Sequence, residues 1–314
     1  MDVSKIFDAL NDAQREAVGA TPGPMLVLAG AGSGKTRVLT YRIAYLVQAL
    51  QASPYSILAV TFTNKAASEM RRRIEDFLGF SVRGMWIGTF HGLSHRLLRD
   101  HHELAGLPSG FEILDSDDQY RVIRRALREM NLDEEHWPPR QVQWFINSQK
   151  EEGRRSAALH GTGDAHQQTL IRVYTHYEET CKRLGLVDFA ELLLSALELL
   201  EQNQSLRENY QQRFQHVLVD EFQDSNTIQY RWLKCLALAH GQIMAVGDDD
   251  QSIYGWRGAR IENMAQLQKD FTGTEVVRLE QNYRSTGNIL KAANAVIDLN
   301  PDRMGKNLWT EGDD

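Results

Sequence analysis

Long apolar runs are missing from this sequence. No stretch approaches the roughly 18 consecutive apolar residues that a membrane span requires, and the opening Met1-Asp2-Val3-Ser4-Lys5 lacks the basic-then-apolar plan of a secretory signal. A membrane is therefore not expected as a partner, and the chain reads as cytoplasmic. Cysteine is scarce as well. Cys181 and Cys235 are the only two, each in a helix-like context without a CxxC partner or a histidine at ligand spacing, so they read as reduced packing residues rather than a disulfide or zinc framework. Basic charge is in deficit: a formal net charge of -7 argues against a protein that coats nucleic acid by bulk electrostatics. A local groove is still allowed, because screening confines exposed charges to a reach of about 8 Å at physiological salt. Internal repeats and low-complexity tracts are absent too.

What remains is an ordinary globular composition, 42% apolar and 25% charged over 314 residues, long enough for two compact units of about 100 to 200 residues each. Six short runs rich in Val, Ile and Leu read as strands: Met25 to Leu28, Ile57 to Thr61, Met85 to Gly88, His216 to Val219, Ile243 to Val246 and Glu275 to Leu279. Helical patterns lie between several of them; Leu39, Ile43, Leu46, Val47 and Leu50 keep one apolar face. Strand, polar loop, helix, strand predicts an α/β fold with a parallel sheet, whose ligands gather at the carboxyl ends of the strands. From Phe90 to Gln215 that rhythm breaks. No convincing β run occurs there, and helix signals repeat, so an inserted all-helical domain is expected. Ser116 with Gln119 forms a capping-box pattern before the stripe Tyr120, Ile123, Leu127 and Met130. Asp188 with Glu191 offers a similar start to Phe189 through Leu200. Trp137-Pro138-Pro139-Arg140 and Gly161-Thr162-Gly163 mark breaks.

The segment Ala29-Gly30-Ala31-Gly32-Ser33-Gly34-Lys35-Thr36 follows the first expected strand and opens the first long helix, the context that a P-loop requires. Its glycines let backbone N–H groups turn towards phosphate oxygens, and the helix N-terminus adds favourable partial charge. Lys35 would neutralise the β and γ phosphates, and the Thr36 hydroxyl would ligate Mg²⁺. Ala29 departs from the strict pattern, which has glycine there. The run His216 to Val219 delivers Asp220-Glu221 to a second strand end, as a Walker B pair is delivered. Asp220 would hold Mg²⁺, and Glu221 would act as general base towards the attacking water.

Further polar clusters specify the kind of NTPase. Asp220-Glu221-Phe222-Gln223-Asp224, the run from Val246 through Asp248-Asp249-Asp250-Gln251-Ser252-Ile253-Tyr254-Gly255-Trp256-Arg257 to Ala259, and Gln281-Asn282-Tyr283-Arg284-Ser285 resemble the motifs of the UvrD/Rep-type superfamily 1 DNA helicases. Upstream, Leu10-Asn11-Asp12-Ala13-Gln14 looks like that family's adenine-reading motif, Thr61-Phe62-Thr63-Asn64-Lys65-Ala66-Ala67 like its first DNA-contact motif, and Gly88-Thr89-Phe90-His91-Gly92-Leu93 like its second. The family commonly has alanine at the position of Ala29. The resemblance spans Leu10 to Ser285.

The resemblance implies a RecA-like lobe formed by residues 1–89 and 215–280, a helical insertion over 90–214, and the start of a second RecA-like lobe at 281–314. The chain would then be an N-terminal portion of a longer helicase, not competent to unwind alone. ATP and Mg²⁺ are the implied cofactors, and movement would run 3′ to 5′. Partners would be single-stranded DNA, duplex junctions and repair proteins; the oligomeric state is left open. Gln14 would read adenine through its amide, Tyr283 would stack on the base, Arg284 would stabilise charge on the γ phosphate, and Gln251 would sense that phosphate. Arg37 reaches either nucleotide or solvent. Phe62, His91, Tyr254 and Trp256, with Thr63, Asn64, Thr89 and Arg257, would form the DNA side, where stacking on each ring is worth about 1–3 kcal/mol. Phe62 reads equally well as a core residue, and Arg71-Arg72-Arg73 as a solvated helix face. A P-loop kinase or switch NTPase would share Lys35, Thr36 and Asp220 but leaves Gln251 to Trp256 unexplained. A non-catalytic binding module and a helicase–nuclease relative also remain open.

Overall fold

Each of the six apolar runs becomes a strand, because β-branched and leucine side chains alternate to two faces that helices cover from both sides. The computed structural model describes residues 4–159, 164–301 and 303–312. Its strands are β1 (Met25–Ala29), β2 (Ile57–Thr61), β3 (Trp86–Thr89), β4 (Glu112–Leu114), β5 (Leu186–Asp188), β6 (His216–Val219), β7 (Ile243–Gly247) and β8 (Glu275–Leu279). Six of them form one sheet in the order β3-β2-β6-β7-β1-β8, with every neighbouring pair parallel. The expected parallel α/β fold is the observed one, and the expected strands match to within a residue. Val27, Ala29, Ala59, Leu218 and Val246 pack in one cluster with Leu39 and Ile43 of the helix Lys35–Gln48 and with Met70 and Ile74 of the helix Asn64–Leu78. The alternate residues Leu26, Leu28, Leu58, Val60, Val217 and Val219 are equally buried. Burying each such side chain contributes about 1.5–3 kcal/mol.

The chain divides into two compact units. One comprises the residues up to Phe90, Ser205–Ser225 and those from Leu233 on; the other is His91–Gln204 with Asn226–Trp232. The second unit has its own core, in which Ile123, Leu127, Val142, Ile146, Val173, Tyr174 and Tyr177 meet from the helices Ser116–Glu129, Pro139–Glu151 and Ala165–Leu184. Among its described residues the only strands are β4 and β5, which pair in parallel over three residues. Runs this short fall below the window in which period-two alternation can be read. Another difference concerns a cap: Asp115, not Ser116, accepts hydrogen bonds from the N–H groups of Asp117 and Asp118, a carboxylate being favoured beside the positive helix end. Asp188 does cap its helix, accepting from Glu191 N. The Trp137–Arg140 break separates two helices as expected, whereas Gly161–Gly163 lies outside the described residues. Neither Cys181 nor Cys235 forms a disulfide. Among the described residues no helix is long and apolar enough to cross a membrane.

The Glu191 side chain is used elsewhere. Lys150, with a side chain only 1% exposed, lies 2.6 Å from Asp188 Oδ2 and 2.8 Å from Glu191 Oε2, and Tyr177 donates to the same Asp188 oxygen at 2.7 Å. Arg155 continues the network to Glu178, Glu191 and Glu198. Burial opposes the Lys150 ammonium, but Asp188 and Glu191 outweigh it and hold its pKa above the ordinary lysine value. Removing one partner from such a cluster leaves uncompensated buried charge. Lys150→Met is therefore expected to cost about 3–5 kcal/mol of stability, read from urea unfolding of the chain by circular dichroism. A loss below about 1 kcal/mol would show the network to be dispensable.

Candidate nucleoside triphosphate site

Because every strand of the main sheet runs the same way, the loops after β1, β6, β7 and β8 emerge on one edge. The loop after β1 is tightly wound. Gly32 and Gly34 take left-handed φ values of 68° and 91°, and the helix Lys35–Gln48 starts on Gly34 without any side-chain cap, leaving its first N–H groups available to an anion. Ser33 stabilises the turn by donating to Gly30 O at 2.8 Å. Lys35 Nζ lies 3.4 Å from Ala29 O, 3.8 Å from Glu221 Oε2 and 3.9 Å from Asp248 Oδ2. The ammonium is thus loosely held between carboxylates, free to exchange them for phosphate oxygens. Thr36 opens the helix beside it.

The acidic side comes from two loops joined by one glutamine. Asp220 follows β6 and donates its N–H to Val60 O. Glu221 follows with φ of 49°, a conformation uncommon outside glycine. Gln223 donates to Glu221 Oε2 at 3.0 Å and accepts from Asp248 N at 2.9 Å. Gln251 in turn donates to Asp248 Oδ2. Burial, reinforced by the charge of Glu221, pushes the Asp220 carboxyl up to about 7 and that of Asp224 to about 6. Asp224 Oδ1 is buried without a hydrogen-bond partner. Crowded, buried carboxylates beside a phosphate-type loop and the Thr36 hydroxyl suit a hard divalent cation, which takes oxygen ligands. The set therefore fits Mg²⁺ and a triphosphate.

The loop after β8 is fastened to the loop after β1. Asn282 Nδ2 donates to Ala31 O at 2.5 Å and Tyr283 N to Gly32 O at 3.1 Å; Asn282 Oδ1 accepts from Arg284 N and Ser285 N. Arg284 is exposed, and its Cβ would be 2.9 Å from a Cβ placed on Gly32. The Tyr283 ring is half exposed, its hydroxyl accepting from Asn11 Nδ2 at 2.8 Å. Gln14 is fully buried; its Nε2 donates to Ser33 O at 2.8 Å and its Oε1 accepts from Asn11 N at 3.2 Å. To read adenine through that amide, Gln14 must exchange one of these bonds. Arg37 is exposed, with one long contact to Ala9 O at 3.4 Å. Asn11, Gln223, Gln281 and Asn282 had no role assigned from sequence, although each sits inside a quoted motif.

Aromatic residues follow β2, β3 and β7. Trp256 is 72% exposed, which rules out a core role, and the Arg257 guanidinium lies 4.4 Å from its ring centroid. Tyr254 stands 6.5 Å from Trp256 between centroids. Phe62 is half-buried and packs edge-on against Phe90 at 5.3 Å. Thr63 caps the helix Asn64–Leu78 by accepting from Ala66 N, so Asn64 opens that helix, and Thr89 is buried at the end of β3. His91 belongs to the second unit, where burial lowers its pKa and its ring meets Phe189 at 5.7 Å. Phe189, half exposed, is an aromatic that sequence reading treated only as a helix start. Arg72 and Arg73 pair with Glu69, and Arg72 also with Asp76, in keeping with a solvated face; Arg71 donates to Ile87 O.

Residues 10–272 match the family model described as UvrD/REP helicase N-terminal domain. Over its full length the chain is 60% identical to DNA helicase II of Escherichia coli (strain K12), covering 44% of that protein. It is 45% identical over 99% of its length to ATP-dependent DNA helicase PcrA of Leuconostoc citreum, covering 42% of it, and 44% identical to PcrA of Bacillus subtilis (strain 168). The chain thus spans less than half the length of these curated relatives. With a family model covering most of its residues and a P-loop, acid pair and β8 loop on one sheet edge, the chain belongs to the UvrD/REP helicase N-terminal domain family.

Proposed function

We propose that this chain is the ATP-hydrolysing portion of a DNA helicase that translocates 3′ to 5′ on single-stranded DNA and opens duplex junctions, acting in the cytoplasm in repair or replication with repair proteins as partners. Residues 1–89 and 215–280 form its first RecA-like lobe, 90–214 an insertion, and 281–314 lead into a second lobe. One observation carries the reading: the loop after β7 joins Asp248, which faces Lys35, and Gln251 to the exposed Trp256 within a few residues. A change in grip on phosphate is thereby linked to a change in grip on a base.

When bound, Mg²⁺·ATP supplies the scissile γ phosphate and the charge that polarises it. Lys35 leaves Glu221 and Asp248 to neutralise the phosphates, while Thr36 and Asp220 offer the oxygens for the cation. Glu221, relieved of Lys35, accepts the proton of the attacking water. Arg284 and Gln251 approach the γ phosphate, and Gln14, Arg37 and Tyr283 line the base end. In this reading Phe62, Thr63, Asn64, Thr89, Tyr254, Trp256 and Arg257 of the first unit contact single-stranded DNA, and so, within the second unit, does His91. The rings stack without regard to base identity, which suits a motor.

Steady-state ATP turnover with and without oligo-dT tests this reading. Lys35→Ala should abolish turnover; turnover that survives it, or that ignores DNA, would favour a different P-loop enzyme. Trp256→Ala should lose about 1–3 kcal/mol of single-stranded DNA affinity and most of the DNA stimulation while nucleotide affinity stays the same; equal stimulation in the variant would sink the proposed coupling.

Asp220 gives a pH signature. Its carboxyl is raised from 3.8 to about 7 in the folded chain, so the folded state holds a proton that the unfolded state releases. Stability from this group is therefore lost as pH rises through that window. Asp220→Asn should flatten the fall in Tm between about pH 4 and about pH 7 and remove the Tm increase given by Mg²⁺·ATP. An unchanged slope in thermal melts would show that Asp220 is ionised throughout.

A further inference from the structure

The acidic run Asp248-Asp249-Asp250 precedes Gln251, and its three carboxylates converge on one ammonium, with Asp250 also paired to Arg303 at 2.8 Å. Lys306 Nζ lies 2.6 Å from Asp248 Oδ1, 2.5 Å from Asp249 Oδ1 and 2.8 Å from Asp250 Oδ2, with the Lys306 side chain 2% exposed. Burial works against that charge, yet the aspartates outweigh it and raise the lysine's pKa. Backbone bonds place Lys306 there. Met304 N donates to Asp249 Oδ2 at 2.8 Å and Asn307 N to Glu280 Oε1 at 2.8 Å. Trp309 N reaches Glu280 O, and Trp309 O accepts from Asn282 N. The same segment lays Leu308 against the phosphate loop, its Cδ2 standing 2.0 Å from where a Cβ on Gly30 would be.

Asp248 therefore lies between two lysines. One oxygen meets Lys306; the other accepts from Gln251 and faces Lys35 at 3.9 Å. For Lys35 to serve a phosphate chain it must leave Asp248, a carboxylate only 2% exposed. A buried carboxylate stripped of its counter-charge resists that departure. Lys306 is a counter-charge that stays. Resting on the ATP-hydrolysis reading above, we propose that Lys306 is a positioning residue of the nucleotide site: it is the fixed counter-ion of Asp248 and Asp249, sharing Asp250 with Arg303, and so releases Lys35 to the phosphates and holds Gln251 in register.

The test is ATP turnover and binding of a fluorescent ATP analogue on the full natural chain, with oligo-dT saturating. Lys306→Met should raise KM and Kd for ATP about tenfold, the scale of couplings between linked sites, and lower kcat by a smaller factor. Lys306→Arg, keeping the charge, should recover most of that affinity. The double variant Lys306→Met/Asp248→Asn removes one charge of each sign; it should also restore affinity, because the anion that retains Lys35 is gone, and it carries the test if the single variant fails to fold. A purely structural lysine would give the opposite pattern: equal losses in KM and kcat, no rescue by arginine, and a double variant worse than the single one, and any of these overturns the proposal. Unchanged KM in Lys306→Met beside an active parent overturns the inference alone, whereas a parent that neither binds nor hydrolyses ATP overturns the reading beneath it.

Discussion

Parallel pairing is the constraint on which the rest depends. With β3, β2, β6, β7, β1 and β8 running the same way, the carboxyl ends of all six strands lie on one edge, and every loop that leaves that edge competes for the same space. The sequence uses it fully: phosphate loop after β1, acid pair after β6, Asp248 to Trp256 after β7, Asn282 to Arg284 after β8. Hydrogen bonds then tie loop to loop. Gln223 spans the β6 and β7 loops, and Asn282 with Tyr283 fastens the β8 loop to the β1 loop. Reversing either strand of a pair would undo its tie.

Electrostatics on this edge is a contest of carboxylates for few cations. Asp220, Glu221, Asp224 and Asp248–Asp250 share this edge with Lys35, Lys306 and Arg303. Burial first, and the charge of Glu221 second, raises the carboxyls of Asp220 and Asp224 despite Lys35. The divalent cation proposed for this edge would relieve repulsion as well as form bonds. That logic separates this edge from the Lys150 cluster of the second unit, where Lys150 and Arg155 meet their acids directly and Glu191 is held well below the usual carboxylate range by them. The first is poised to change partners; the second is closed.

Much of this was legible before any coordinates. The strand runs were visible because both faces of a parallel sheet are buried, leaving near-continuous Val, Ile and Leu. Lys35 and Asp220-Glu221 were visible because their chemistry is local in sequence, and Trp256 because Gly255 and Arg257 beside it do not suit a core. What was not visible has a common cause. The Lys306 ion cluster and the Gln14 to Ser33 bond are tertiary pairings with no periodicity to announce them. β4 and β5 are too short to alternate, and the choice of Asp115 over Ser116 as a cap turns on one residue of register. Phe189 was absorbed into an apolar helix pattern although its ring is half exposed.

Glu221 has a consequence for how such a chain can change. A residue other than glycine in the left-handed region costs about 1–2 kcal/mol, and Glu221 sits there at φ of 49° with its carboxylate towards Lys35. Glycine or asparagine would relax the backbone at once. With Glu221 in the proposed general-base role, selection for heat resistance alone would drift towards them, and selection for turnover would drift back. The position is thus a point where durability and activity are opposed within a single residue.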